Sequence, residues 1–157
     1  MNKIVVFKCG GSSLASLSDE FFENIQCLQA AGVKPIIVHG GGPNIQQMLD
    51  QLNIKSEFVD GLRKTTEEMM EIVEMILVGN VNPAFTRRMN ALGIKAVGIS
   101  GSDMELLKAK PINLEKYGLV GEVTDVNTQF IKALLHDGIV PVISPIAIGE
   151  DGKTYNI

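Results

Sequence analysis

The sequence contains little that would place the protein in a membrane or in an oxidising compartment. The first apolar run, residues 4–7, is shorter than the core of a signal peptide, and no later run is long enough to span a bilayer. There are only two cysteines, Cys9 and Cys27, and their spacing matches neither a zinc site nor a redox dithiol motif. We therefore expect a cytoplasmic protein whose cysteines stay reduced and serve as packing residues.

An excess of positive charge is also missing. The 14 basic residues are scattered among 18 acidic ones, which gives a formal net charge of -4 and no basic stripe for a phosphodiester backbone. Neither nucleic acid nor a membrane is therefore an expected partner. Apolar residues make up 45% of the chain and charged residues 20%, a composition typical of globular proteins, and a length of 157 residues is typical of one domain with one core.

Short runs rich in Val and Ile alternate with longer segments of helical periodicity. The runs lie at residues 4–7, 36–38, 96–99 and 139–143. Because they are apolar on both faces, we expect parallel strands that helices cover on each side. The predicted class is α/β, a three-layer αβα sandwich with a mainly parallel open sheet.

Capping residues predict where the helices begin and end. Pro is favoured at a first helical position, Gly just after a last one, and acidic residues in a first turn. These rules predict a first helix from residue 18 or 19 to just before Gly32 and a second from Pro43, with Gly42 as its cap. A third is predicted over residues 65–78, ending at Gly79-Asn80, and a fourth from Asn82-Pro83 to about Leu92. The last is predicted over residues 127–136. Residues 57–65 predict a hairpin or flap, and the final strands are expected at residues 146–148 and 153–157.

The third predicted helix, residues 65–78, is apolar around most of its circumference. A helix that packs on one face needs only an apolar stripe. We therefore expect a homodimer in which this helix is buried by both its own core and a second subunit. A helix buried at the centre of one chain is the alternative.

Two glycine-rich turns follow predicted strands. Their sequences are Lys8-Cys9-Gly10-Gly11 and His39-Gly40-Gly41-Gly42-Pro43. Neither matches the P-loop or the G-x-G-x-x-G pattern. Because loop N–H groups and helix N-termini converge at this edge of a parallel sheet, the pair indicates an anionic ligand.

Two basic residues are candidates for contacting that ligand. Lys8 ends the first strand and could place a point charge on a phosphoryl group. Arg63 lies in Gly61-Leu62-Arg63 near the predicted flap, and its planar guanidinium suits a carboxylate. We do not interpret His39 or His136 as general bases, since the first is expected to pack or hydrogen-bond beneath its turn and the second ends a helix. Asp103 is expected to form a turn.

Taken in order, these segments resemble the acetylglutamate kinases of the amino acid kinase family. The resemblance covers the whole chain, although Met104 follows Asp103 where the family more often has glycine. The matching segments are Lys8 with Gly10-Gly11, His39-Gly40-Gly41-Gly42-Pro43, Gly61-Leu62-Arg63, Val97-Gly98-Ile99-Ser100-Gly101, Gly121-Glu122-Val123 and Tyr155-Asn156-Ile157.

The resemblance implies phosphoryl transfer from ATP, with Mg2+, to the side-chain carboxylate of N-acetyl-L-glutamate, which is the second step of arginine biosynthesis from glutamate. It implies that Lys8 stabilises the transferring phosphoryl group and that Gly10 and Gly11 bind it. It further implies four substrate-binding residues. Gly41 and Gly42 bind acetylglutamate through their backbone groups, Arg63 holds its α-carboxylate, and Asn156 contacts its acetylamino end.

The resemblance also implies a division of labour. Residues 1–157 would be the N-terminal amino-acid-binding and dimerisation domain, and the nucleotide would bind mostly to a C-terminal half outside this chain. The chain alone would then bind the acid without turnover. Two alternatives stay open: a kinase for another acid of the same family, and a non-catalytic ligand-binding or dimerisation module.

Overall fold

The computed structural model describes residues 3–11 and 17–157. Its strands are β1 (Ile4–Cys9), β2 (Lys34–His39), β3 (Phe58–Val59), β4 (Leu62–Arg63), β5 (Ala96–Ser100), β6 (Leu107–Pro111), β7 (Gly121–Val126), β8 (Val140–Ser144), β9 (Ile146–Gly149) and β10 (Thr154–Asn156). Its helices are α1 (Asp19–Ala30), α2 (Gly42–Gln51), α3 (Glu67–Ile76), α4 (Asn82–Ala91), α5 (Leu114–Tyr117) and α6 (Thr128–His136). A π-helical turn, Leu77–Val81, joins α3 to α4, and a short 3₁₀ turn spans Asp103–Glu105.

The strands form two larger sheets and one hairpin. The first sheet is entirely parallel, with the order β1-β2-β8-β5, and the second has the order β10-β9-β6-β7 with mixed directions. The strand β8 is buried at every position, as expected for a central strand covered on both faces. The hairpin of β3 and β4 turns at Asp60-Gly61, where both residues have positive φ.

Helices cover the parallel sheet on both faces. The helices α1 and α4 pack on one face, through Phe22 and Met89 among others, against alternate residues of β1, β2 and β8. On the opposite face α6 packs through Ile131 and Leu135 against the intervening residues of β2, β5 and β8. The predicted α/β class with three layers is confirmed.

Local capping chemistry explains most helix ends. Gly32 follows α1 in the left-handed region, with a φ of 79°, as a C-terminal glycine should. The helix α6 is capped by Asn127, whose Oδ1 accepts a hydrogen bond of 3.2 Å from the backbone N–H of Phe130. The helix α2 begins one residue earlier than predicted, with Gly41 as its N-cap and Gly42 as its first residue.

The prediction that the third helix ends at Gly79-Asn80 is wrong. The chain passes from α3 through the π-helical turn directly into α4, and the flanking residues Leu77 and Asn82 keep right-handed helical geometry. Leu77 and Val81 are both buried in this turn. Tertiary packing of these two side chains therefore overrides the local glycine signal.

The apolar surface of α3 is buried within a single chain. Met69, Met70, Ile72, Val73 and Ile76 are each at most 6% exposed and pack in a cluster that includes α2 and the second sheet, while the exposed apolar residue is Met75. The core-helix alternative thus describes α3, and the argument that a second subunit must cover it is wrong. The homodimer itself stays a prediction.

Within the described part of the chain, no helix combines the length and apolar character needed to cross a membrane.

Candidate functional site

A cleft of about 460 Å³ lies beside the triple-glycine turn that joins β2 to α2. The β3–β4 hairpin, the π-helical turn and the end of β10 also contribute to it. Its walls include all four residues that the resemblance implies for acetylglutamate binding, Gly41, Gly42, Arg63 and Asn156. The fold therefore brings together residues that lie far apart along the chain.

The two glycine-rich turns contact each other through their backbones. A Cβ atom added to Gly11 would lie 2.7 Å from the backbone nitrogen of Gly42 and 2.9 Å from that of Gly41. Such distances leave no space for a side chain, so the approach requires glycine at this position. Gly10 precedes this contact, and the pair therefore adjoins the cleft residues Gly41 and Gly42.

The N-terminus of α2 lines the cleft through Gly41 and Gly42. In the described residues, the turn and loop hydrogen bonds give no acceptor to the backbone N–H of Gly41 or of Gly42. The first N–H groups of a helix lack partners within the helix and carry its positive dipole end. This arrangement favours an anion.

Arg63 is held against the cleft by neutral groups. Its side chain is buried, with a residue exposure of 8%. Its Nη1 donates to Gln46 Oε1 at 2.7 Å and to Ser56 Oγ, and its Nη2 donates to the carbonyl oxygen of Gly42 at 3.4 Å. The guanidinium carbon also lies 4.6 Å from the centroid of the Phe58 ring.

No carboxylate in the described residues forms an ion pair with Arg63. The nearest link to one runs through Gln46, whose Nε2 donates to Asp50 Oδ1 at 2.8 Å. Burial lowers the pKa of the Arg63 guanidinium, and the charge of Asp50 opposes that change only in part. A buried cation of this kind is stabilised when an anion joins it.

Asn156 reaches the cleft from the second sheet. Its backbone N–H donates to the carbonyl of Leu119 at 3.0 Å, and its side-chain Nδ2 donates to Thr65 Oγ1 at 3.4 Å. Thr65 is itself buried, and its Oγ1 donates to the carbonyl of Arg63 at 2.8 Å. The two predicted ligand residues Arg63 and Asn156 are thus connected through Thr65.

Lys8 lies outside this cleft. It is exposed and stands in register with Val38 on the neighbouring strand, close to the carboxyl edge of the sheet. Partners in register on parallel strands share one face, so Lys8 lies on the face of the sheet that α6 covers. Its proposed role at the phosphoryl group stays a prediction.

The residues that we did not interpret as catalytic occupy structural positions. His39 is buried beneath the glycine turn and hydrogen-bonds to the carbonyl of Gly40 through Nδ1 at 2.9 Å. His136 ends α6 with an exposed side chain. Asp103 Oδ2 accepts a hydrogen bond of 2.8 Å from the backbone N–H of Ser100, as a turn residue does. Both histidine interpretations and the Asp103 interpretation agree with the structure.

The residues around Arg63 were missed from the sequence. Gln46 lies on α2, Ser56 and Phe58 precede the hairpin turn, and Leu77 belongs to the π-helical turn. Gln46 follows Gly42 by four positions, so the two share one face of α2, and this spacing is the one signal that could have identified it. Ser56 and Leu77 carry no comparable signal.

Curated relatives of this chain are acetylglutamate kinases. The protein from Geobacillus sp. (strain WCH70) is 51% identical over 157 residues, and the protein from Bacillus subtilis (strain 168) is 48% identical over the same length. Both alignments cover all of this chain and 61% of the relative. The chain therefore spans about three fifths of the length of these relatives.

Two solved structures share this fold and differ in their sequence identity to this chain. The smu.665 protein of Streptococcus mutans UA159 is 28% identical with a TM-score of 0.95, over 100% of this chain and 64% of that one. An N-acetylglutamate synthase from Neisseria gonorrhoeae, solved with coenzyme A and N-acetyl-glutamate, is 19% identical with a TM-score of 0.79, over 99% of this chain and 36% of that one. At 19% identity, the second match supports the fold alone.

The match to a protein-family model extends over residues 3–157 and carries the description "Amino acid kinase family". This range covers both glycine turns, the hairpin with Arg63 and the strand with Asn156. The chain belongs to the amino acid kinase family.

Proposed function

We propose that this chain is the amino-acid-binding part of a kinase that transfers a phosphoryl group from ATP to the side-chain carboxylate of N-acetyl-L-glutamate, giving N-acetylglutamyl 5-phosphate in arginine biosynthesis. The cleft binds the acid through the backbone N–H groups of Gly41 and Gly42, the guanidinium of Arg63 and the side chain of Asn156. The curated relatives named acetylglutamate kinase, about 50% identical over the whole chain, support this choice of acid.

The observation that carries the proposal is the buried guanidinium of Arg63. It borders a cleft, its hydrogen-bond partners are neutral, and the described residues supply it with no paired carboxylate. A carboxylate of the ligand matches the guanidinium in charge and in its two-pronged geometry. We therefore assign the α-carboxylate of acetylglutamate to Arg63.

The reaction needs no general base in this cleft. A glutamate side chain has an unperturbed pKa of about 4.3, so the attacking carboxylate is already ionised at neutral pH. The enzyme must instead bring two anions together and neutralise their charge. Lys8 and the N–H groups of Gly10 and Gly11 contribute to this on the phosphoryl side.

The nucleotide site is proposed to lie mostly outside this chain. The described residues contain no group of three or more His, Cys, Asp or Glu side chains arranged to hold a metal ion. The curated relatives extend well beyond the matched length. The 157-residue chain alone is therefore expected to bind acetylglutamate without forming product from Mg-ATP.

Calorimetry with acetylglutamate tests the assignment of Arg63. The substitution Arg63→Lys keeps the charge but removes the planar guanidinium, which contacts a carboxylate through two N–H groups. It should therefore weaken binding by roughly 1.5–3 kcal/mol, or about 10-fold to 150-fold. The matched control is Arg87→Lys on the exposed surface of α4, which should bind as the wild type does. Equal affinities for Arg63→Lys and the control would contradict the proposed cleft.

A second experiment distinguishes acetylglutamate from the other acids as the ligand of the cleft. Thermal shifts of the chain are measured with acetylglutamate, glutamate, aspartate and Mg-ATP separately, since a ligand raises the melting temperature only if it binds the folded state. A shift with acetylglutamate alone supports the proposal. A larger shift with another acid identifies a different kinase of the family, and formation of acetylglutamyl phosphate by this chain would refute the division between acid-binding and nucleotide-binding parts.

A further inference from the structure

Three buried polar side chains meet beneath the triple-glycine turn. His39 ends β2, Ser144 ends β8 and Asn82 begins α4, and each is at most 4% exposed. Asn82 Nδ2 lies 3.0 Å from His39 Nε2, and Ser144 Oγ lies 3.2 Å from the same nitrogen. We call these residues the His39 cluster. The proposed reaction uses none of them directly.

The hydrogen bonds of the cluster select one tautomer of His39. A carbonyl oxygen only accepts, so Nδ1, which lies 2.9 Å from the oxygen of Gly40, must carry a hydrogen. Asn82 Nδ2 donates to the carbonyl of Val142 at 2.9 Å, which orients its amide. An amide nitrogen only donates, so its contacts of 3.0 Å with His39 Nε2 and with Ser144 Oγ make both of these atoms acceptors. The nitrogen Nε2 is therefore an acceptor, and the ring is neutral with its hydrogen on Nδ1.

Burial gives the same charge state, because it lowers the pKa of His39 against the smaller opposing effect of the Gly40 hydrogen bond. The sheet also leaves space for Asn82 to approach closely. A Cβ atom added to Gly98 in β5 would lie 1.9 Å from Asn82 Oδ1, so glycine is required there for Asn82 to reach the cluster.

The bond to Gly40 fixes the direction of the next N–H group. The carbonyl of Gly40 and the N–H of Gly41 belong to one trans peptide unit, so they point in opposite directions. With the carbonyl directed down to His39, the N–H of Gly41 is directed away from the cluster. Gly41 lines the cleft, and its N–H has no acceptor among the turn and loop hydrogen bonds of the described residues.

We propose that His39, held in its Nδ1-protonated form by Asn82, is a positioning residue that directs the N–H of Gly41 at the acid bound in the cleft. The identity of that acid rests on the proposed function, whereas the orientation of the peptide does not. The cluster also reaches the opposite wall, because Ser144 Oγ donates to the carbonyl of Leu77 at 3.4 Å. Leu77 packs against Gly41, where an added Cβ would lie 2.5 Å from its Cδ2.

Two substitutions of His39 separate its two nitrogens. In His39→Asn the side-chain Nδ2 takes about the place of Nδ1 and can still donate to the carbonyl of Gly40. In His39→Gln the longer amide reaches Asn82 and Ser144 but leaves that carbonyl without its donor. The exposed residue His136, replaced in His136→Gln, is the matched control.

Three measurements are made on the 157-residue chain. Long-range ¹H–¹⁵N spectra identify the tautomer of His39, residual dipolar couplings report the direction of the Gly41 N–H, and calorimetry gives the affinity for acetylglutamate. Thermal unfolding is followed for every variant, because a merely structural role would lower stability without changing the direction of one peptide.

We expect a hydrogen on Nδ1 in the wild type. His39→Gln should bind acetylglutamate at least about tenfold more weakly than His39→Asn, since it loses the charge-assisted hydrogen bond from the N–H of Gly41. The residual dipolar coupling of the Gly41 N–H should change in His39→Gln and stay the same in His39→Asn. The His136→Gln control should match the wild type in every measurement.

A hydrogen on Nε2 instead of Nδ1 would overturn the proposal, as would equal affinities and equal Gly41 couplings for the two variants. If the wild type does not bind acetylglutamate, the proposed function fails, and the couplings alone then decide the positioning role. If His39→Gln does not fold, the wild-type tautomer and the coupling in His39→Asn decide it: a changed Gly41 direction despite the retained donor refutes the role.

Discussion

Replacement of Gly42 by alanine separates the stability of the fold from binding in the cleft. Gly42 is the first residue of α2 and lines the cleft, and a Cβ atom added to it meets no heavy atom within 4 Å. Its φ is not in the left-handed region that favours glycine. The folded chain therefore accepts an alanine at this position without displacing a neighbour.

The expected change in stability is small and favourable. Alanine is better than glycine in a helix interior by roughly 0.5–1 kcal/mol, and a first-turn position should realise only part of this. A gain of about 0.5 kcal/mol corresponds to a melting temperature that is higher by about 1–2 °C in a chain of this size.

The expected change in binding is large and unfavourable. Gly42 lines the cleft and the space around its Cβ position is open, so the new methyl group would project from the cleft wall and hold a bound anion away from the N–H groups of the turn. Loss of one hydrogen bond to a charged group costs roughly 1.5–3 kcal/mol, which predicts an affinity for acetylglutamate about 10-fold to 150-fold lower. Calorimetry and thermal unfolding of the same samples measure both changes.

Two other glycines calibrate the result. Gly79 is exposed in the π-helical turn, has an open Cβ position and lies outside the cleft, so Gly79→Ala should leave binding unchanged. Gly41→Ala should lose both stability and binding, because its Cβ would lie 2.5 Å from Leu77 Cδ2 and 3.3 Å from Val81 Cγ2. If Gly42→Ala bound acetylglutamate as tightly as Gly79→Ala does, no ligand would approach Gly42 and the proposed cleft would be wrong.

Three further predictions follow from other parts of the chain. In the longer kinase that we propose, Lys8→Ala should lower kcat by about 100-fold or more while changing KM for acetylglutamate little, and steady-state kinetics with a kcat within about twofold of the wild type would refute its role. Met104→Gly should raise the free energy of unfolding by about 0.5–1 kcal/mol in urea titrations, because Met104 is exposed with a φ of 52° and left-handed geometry strains a non-glycine residue; an unchanged or lower value would contradict this. The predicted homodimer is tested by light scattering, where a strictly monomeric mass would contradict it.

The parallel sheet was predictable because its sequence signals are local. Strands covered on both faces appear as continuous apolar runs, and the runs predicted β1, β2, β5 and β8 to within two residues at each end. The helix starts predicted at Pro43 and Asn127 depend on one or two neighbouring residues. The hairpin was predictable for the same reason, since Asp60-Gly61 supplies the two positive φ angles of its turn.

The second sheet was only partly predictable. The strand β7 is exposed at every residue except Gly121, and Lys110 of β6 pairs with Glu122 of β7 at 3.5 Å. Strands that are this polar carry neither an apolar run nor a clear alternation, so β6 and β7 were missed. The position of Gly121 depends on the fold instead, because a Cβ there would lie 2.8 Å from Tyr155 Cβ.

The candidate site shows the same division. The resemblance supplied Gly41, Gly42, Arg63 and Asn156, and the structure places all four around one cleft. Their supporting contacts depend on tertiary structure, since Gln46 and Ser56 meet Arg63 from different segments. Sequence reasoning recognised residue types that suit an acid, but not the groups that hold them in place.

The charges of the cleft differ from those of the whole chain. The net charge is -4, yet the acidic side chains that form ion pairs do so at the surface, as in Glu67 with Lys153 and Asp60 with Lys116, both at 2.6 Å. Exposed pairs of this kind contribute little to stability. In the described residues Arg63 is the buried cation without such a partner, and it lies beside the positive end of α2. An overall acidic chain thus presents a positive charge at this cleft, because the local arrangement of charges, and not the net charge of the chain, determines the potential that a ligand meets.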